Sequence, residues 1–249
     1  MISQLLKVQT RSRRSLQIRA RVFFLIILAS TPMLVGQAKL PVGDFRQWTL
    51  QDAVTILTRS PWAKQETYTR IVGGVGSGIS GEKEIYNTFF VRFLSARPIR
   101  EAYARIRQIQ SNYDSLGAED KLKLDMSLAP GLELDVSRWI VVAVGFRSND
   151  PSLELRVRQF LEVQTTVSMR PRAHLSTVRM PQVNLAGYFP PKEDEVGAKF
   201  VFPRSVGGSA VLMGDEVAVS FELDIPGFDS DLRASFPVSE MIMNGEPII

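Results

Sequence analysis

The sequence predicts an α+β fold, with helices mainly in the first half of the mature chain and a mainly antiparallel sheet in the second. Three observations lead there. Apolar residues recur every three or four positions in two stretches between about 98 and 165, the spacing of a helix with one buried face. Prolines at 171, 181, 190, 191 and 203 forbid long helices beyond that point. Near the end, Val217, Val219, Phe221, Leu223 and Ile225 alternate strictly with Ala218, Ser220, Glu222 and Asp224, which describes a strand with one buried and one wet face.

The chain opens on a leader. Residues 1–38 carry Lys7, Arg11, Arg13, Arg14, Arg19 and Arg21 and no acid. An apolar run of about 15 residues begins at Val22, and Gly36-Gln37-Ala38 ends it with small residues. This is the order of a secretory signal, with cleavage expected after Ala38. The run falls short of the roughly 20 residues that span a bilayer, so a retained anchor is the lesser alternative. Ser12-Arg13-Arg14-Ser15-Leu16 has the look of a twin-arginine motif, but a generic basic segment is the better account, since the very apolar Phe23–Leu28 core suits the general export pathway. Whether anchored or cleaved, the folded part is expected outside the cytoplasm, periplasmic or secreted.

Composition then narrows the function. Taking the six leader cations from the chain's 30 leaves 24 basic against 26 acidic residues, a net charge of −2. The mature part therefore has no built-in attraction for nucleic acid. With no cysteine, the chain has no disulfide, thiolate nucleophile, cysteine-held zinc or iron–sulfur cluster. Residues 39–249 are expected to form a single domain, with Arg170–Pro191 as the place where a subdivision would fall.

Along the mature chain, Thr49-Leu50-Gln51-Asp52 reads as a capping box, and a short helix is expected over about 50–59. Trp48 and Trp62 flank it as buried anchors. Gly76-Ser77-Gly78-Ile79-Ser80-Gly81 matches a dinucleotide fingerprint in letters only, because a strand over about 84–94 follows where a helix is needed. The clearest helix covers about 98–114, with Pro98 at its first position. A shorter one is expected over 118–128. Trp139–Gly145 reads as a buried central strand, and Asp150-Pro151 starts a helix over about 151–165. Phe200–Phe202 and Ala234–Val238 read as strands. Ala210–Met213 is expected to pair with the alternating strand across Gly214-Asp215, and Asn244-Gly245 to form a turn.

No set of residues completes a catalytic constellation. His174 is the sole histidine, and no Gly-x-Ser-x-Gly elbow supplies a nucleophile beside it. It is expected at or near the surface. Acid clusters at Glu193-Asp194-Glu195 and at Asp224, Asp229 and Asp231 leave a two-carboxylate hydrolase open, and neither has the spacing of a calcium loop. Arg97, Arg100 and Arg107 are expected on a solvated helix face, with contact to an anionic ligand as the lesser alternative; Arg97, Arg100 and Arg204 form a ligand site if their guanidiniums converge. Ser205-Val-Gly-Gly-Ser209 is either an anion-binding turn or a plain hairpin loop.

Ser60-Pro-Trp-Ala-Lys64, the stretch from Val91 to Arg105 and Phe200-Val-Phe-Pro-Arg204 resemble segments of uncharacterised exported proteins of soil bacteria. That resemblance implies export and carries no activity. The reading is a non-enzymatic envelope protein that binds another envelope protein or a small ligand, uses no cofactor or metal, and meets a membrane only through an uncleaved leader. A periplasmic hydrolase using paired carboxylates is the alternative.

Overall fold

The computed structural model describes residues 40–41, 43–73, 82–192, 196–228, 231–243 and 246–247, which belong to one compact unit. The leader with its Ala38 cleavage point, the Gly76–Gly81 motif, Glu193–Glu195, Asp229 and the Asn244-Gly245 turn lie outside them.

Helix α1 (Leu50–Arg59) starts on the expected capping box. The Thr49 side chain accepts from the Asp52 amide at 3.1 Å, and Asp52 accepts from the Thr49 amide at 2.9 Å. These bonds from Thr49 hold the Asp52 carboxyl below the ordinary carboxylate range. Strands β1 (Ala63–Gly73) and β2 (Glu82–Phe93) follow as an antiparallel hairpin. β1 was not expected. Its Lys, Gln, Glu, Thr and Arg residues hide the period, because it is an edge strand whose outer half is largely exposed.

Helix α2 (Arg97–Gln110) and helix α3 (Ala118–Leu132) come next. α3 runs four residues past the expected end, through Pro130. Strand β3 (Trp139–Ser148) is central and buried, as its apolar run predicts. Helix α4 (Pro151–Val163) is capped by Asp150, which accepts from the Ser152 and Leu153 amides, and the single turn α5 (Thr166–Met169) completes the helices.

Apart from a 3-10 turn over Val238–Glu240, the later described elements are strands: β4 (Ala173–Ser176), β5 (Val183–Asn184), β6 (Gly187–Phe189), β7 (Ala198–Pro203), β8 (Ser205–Val206), β9 (Ser209–Ala210), β10 (Ala218–Leu223), β11 (Leu232–Pro237), β12 (Ile242–Met243) and β13 (Glu246–Pro247). Two main antiparallel sheets result, a five-stranded one ordered β1-β2-β3-β7-β6 and a four-stranded one ordered β11-β10-β4-β5, with β8-β9 and β12-β13 as separate two-stranded ribbons. The α+β class and the weighting of helices to the first half and sheet to the second are as the sequence predicts. Residues 170–191 supply β4 and β5 to one sheet and β6 to the other.

One pairing differs from expectation. β10 pairs with β11 and β4, not with Ala210–Met213. Ser209–Ala210 instead closes a hairpin with β8 across Gly207 and Gly208, both at positive φ (59° and 84°). That is the geometry a tight two-residue turn requires.

The main core lies between the sheets. Phe93 meets Phe236 at 4.8 Å between ring centroids, Phe200 meets Phe221 at 5.2 Å, and Phe89 meets Phe228 at 5.3 Å. Each pair is near edge-to-face, the arrangement that aligns ring quadrupoles. Trp48 and Trp62 are buried at 6% and 3% exposure, anchoring the first helix as expected.

A candidate ligand cleft

The other face of the five-stranded sheet carries helices, and between them a cleft of about 730 Å³ is left open. Its floor comes from β3, β6 and β7 through Trp139, Val141, Phe189 and Val201. One face of α2 forms a wall through Arg100, Tyr103, Ala104 and Arg107, spaced three or four apart as a helix face demands. α3 and the loop after it complete the wall with Leu128, Leu132, Leu134 and Asp135. The volume falls within the range of small-molecule sites, as does the mostly apolar lining with few polar groups.

The arginines build this cleft more than they decorate it. Arg100 is 9% exposed and donates to the carbonyls of Leu94, Ser95 and Leu132. It thereby ties the turn before α2 to the C-terminal carbonyls of α3, which have no partners within their own helix. Burial lowers the Arg100 pKa, and the positive fields of Arg97 and Arg204 lower it further against the opposing Glu101. Arg204 donates through Nε to the Val136 carbonyl and through its amide to Arg138, fixing the loop that leads from α3 to β3. Arg97 is exposed and engaged with Glu101 at 2.8 Å, one helical turn on. The three predicted arginines are thus neighbours in charge, but only Arg100 lines the cleft.

Arg107 differs from all of them. It is exposed, lines the cleft, and among the described residues no ion pair or side-chain hydrogen bond engages its guanidinium. Lys199 adds a second positive group and donates to the Gly197 carbonyl at 3.4 Å. Among the described residues Asp135 is the one carboxylate in the lining; it is turned to the Ser137 amide at 2.9 Å, and that bond holds its pKa low. Among the described residues the cleft is therefore mostly apolar, with Arg107 and Lys199 at its margin and a single carboxylate in its lining.

Outside the cleft, His174 lies half-buried on the outer face of the four-stranded sheet, 3.3 Å from Glu222. Ser176 Oγ reaches the same Glu222 at 3.3 Å instead of the imidazole. With the acid in the middle, the order does not deliver a serine proton to a histidine base. Asp224 pairs with Arg172. Among the described residues no group of acids and histidine could hold a metal ion, and no described helix is long and apolar enough to cross a membrane.

Of the arginines weighed from the sequence, Arg100 and Arg107 line the cleft. Phe189, Lys199 and the α3 leucines were not connected with them, because the cleft is assembled from segments about a hundred residues apart. The usable signal was Phe189: an aromatic on a short strand beside two prolines, 56% exposed. Compared with known proteins, the chain matches no family model, no curated protein and no solved structure, so its geometry alone supports a functional reading.

Proposed function

We propose that this chain is an exported, non-enzymatic binding protein of the cell envelope, and that the cleft between α2, α3 and the five-stranded sheet is its ligand site. The observation that carries the reading is the cleft itself, a space of about 730 Å³ whose described lining is mostly apolar, with cations at its margin. Apolar walls of this size are favourable to cover, at roughly 25 cal/mol per Å² removed from water. The leader supports export, since its charge order and small residues before Ala38 are those a signal peptidase reads.

Two measurements test this. Native mass spectrometry of the protein isolated from an envelope fraction should find a small molecule bound without covalent linkage. The intrinsic fluorescence of Trp139 should change when that molecule is removed and returned. A protein that retains nothing and whose emission responds to no apolar probe would defeat the binding reading. N-terminal sequencing of the exported product should begin at Lys39; an intact leader on cytosolic protein would defeat the export reading.

A further inference from the structure

We propose that the ligand of this cleft is a single-chain fatty acid, its hydrocarbon lying against Leu128, Leu132, Trp139 and Val201 and its carboxylate meeting Arg107. The inference rests on the cleft being a binding site and adds the chemical class of what it holds.

Three features select an anionic chain over other apolar ligands. The first is sign: among the described lining residues Arg100 and Arg107 stand on one face of α2, and the one carboxylate, Asp135, is turned to Ser137. The second is availability. Arg100 is committed to three backbone carbonyls, and Asp135 already accepts from Ser137. Arg107 has no such partner among the described residues, and a guanidinium presents a planar fork that matches a carboxylate in two parallel hydrogen bonds. The third is shape. The walls are aliphatic along α3, and Trp139 and Phe189 bring aromatic surface to the floor strands, with few polar groups between. An extended hydrocarbon needs such a lining; a sugar or a peptide needs buried hydrogen-bond partners that are missing.

The chain's own apolar segment near residues 22–36 is a poorer occupant. It is preceded by five arginines between residues 11 and 21, of the same sign as the cleft margin.

The test compares laurate, dodecanol and dodecylamine, each below its micelle concentration, by calorimetry and Trp139 emission on the exported protein. Laurate is expected to bind most tightly and to lose affinity as salt is raised. Arg107→Ala should weaken laurate about tenfold, the scale of one charged hydrogen-bond pair, while leaving dodecanol affinity and thermal stability unchanged. Arg107→Lys should restore part of the loss. If dodecanol matches laurate and Arg107→Ala changes neither, the carboxylate assignment is overturned while the cleft remains a binding site. If dodecylamine binds best, the charge argument is overturned. If none of the three binds, the cleft reading itself fails.

Discussion

The two faces of the five-stranded sheet are built from the same strands and finished differently. Toward the four-stranded sheet, Ile140, Val142 and Val144 of β3 are fully buried, and Phe200 and Phe202 of β7 beside them lock into Phe221. Toward the helices, the intervening Trp139 and Val141 and the β7 residue Val201 look into a cleft. The wall opposite them is held by polar ties. Asp125 of α3 accepts from Gln108 and from Tyr113, and Arg100 reaches the Leu132 carbonyl, while no residue of α3 is buried. A packed interior on one side supplies the stability that leaves the other side free to stay open. The closed face is a core, and the open face is a cleft.

The sharpest way to break this division is at Phe221, whose ring touches both Phe200 and Phe202. Phe221→Ala should cost about 3–5 kcal/mol, removing buried area and leaving a cavity between the sheets. Urea unfolding checks it; a loss under ~1 kcal/mol would mean the inter-sheet aromatics are not the main source of stability.

Gly197 sits where the chain enters β7. Its φ is +98°, and a Cβ built there would lie 2.3 Å from the Val144 carbonyl oxygen. Gly197→Ala should therefore cost roughly 2–4 kcal/mol, from left-handed strain and the clash together. Because β7 contributes to both faces, ligand affinity should fall with stability in this variant, unlike in Phe221→Ala at a temperature where both remain folded. Equal behaviour of the two would erase the distinction.

A matched pair sharpens the comparison further. Val142 and Val201 lie on neighbouring strands, one facing the core and one the cleft. Truncation of Val142 to Ala should cost on the order of 2 kcal/mol, and of Val201 to Ala less than about 1 kcal/mol, since only the first loses close-packed neighbours on all sides. Thermal unfolding of the two variants side by side decides it. Equal losses would make the cleft a part of the core.

The closed face was far more legible in the sequence than the open one. Val219, Phe221 and Leu223 announced their burial by strict alternation, and Trp139–Gly145 by its continuous apolar run, because a core facing another sheet imposes a period on each strand separately. The capping residues Thr49 and Asp150 were equally plain, since their partners lie within three positions. The polar edge strand β1 left no period to read. The pairing of β10 was misjudged because a glycine-aspartate pair is a local turn signal that does not name the strands it joins, and the hairpin formed instead across Gly207 and Gly208. The cleft was hardest, for Arg107, Leu132 and Phe189 meet only through tertiary packing, and no local pattern joins them.

The smallest effect concerns the rim where the two sheets meet at β1. Glu66 stands opposite Phe89 in the β1–β2 ladder and so shares the inter-sheet face with Tyr68, whose ring packs on Phe89 at 6.0 Å. Partial burial raises the Glu66 pKa above its ordinary value, with Lys64 opposing. A carboxyl whose pKa is higher folded than unfolded penalises the folded state when ionised. The penalty is absent below the unfolded pKa, where both states are protonated, and it develops as pH rises through the unfolded and then the folded value. Glu66→Gln should therefore stabilise the protein at pH 7 by a few tenths of a kcal/mol, the shift being discounted because the side chain is largely in water, and should gain nothing near pH 4. Thermal midpoints of both proteins at the two pH values check the sign. Stabilisation that is larger in acid would place Glu66 in a favourable charge pair, and the rim of the closed face would then be held by electrostatics instead of packing.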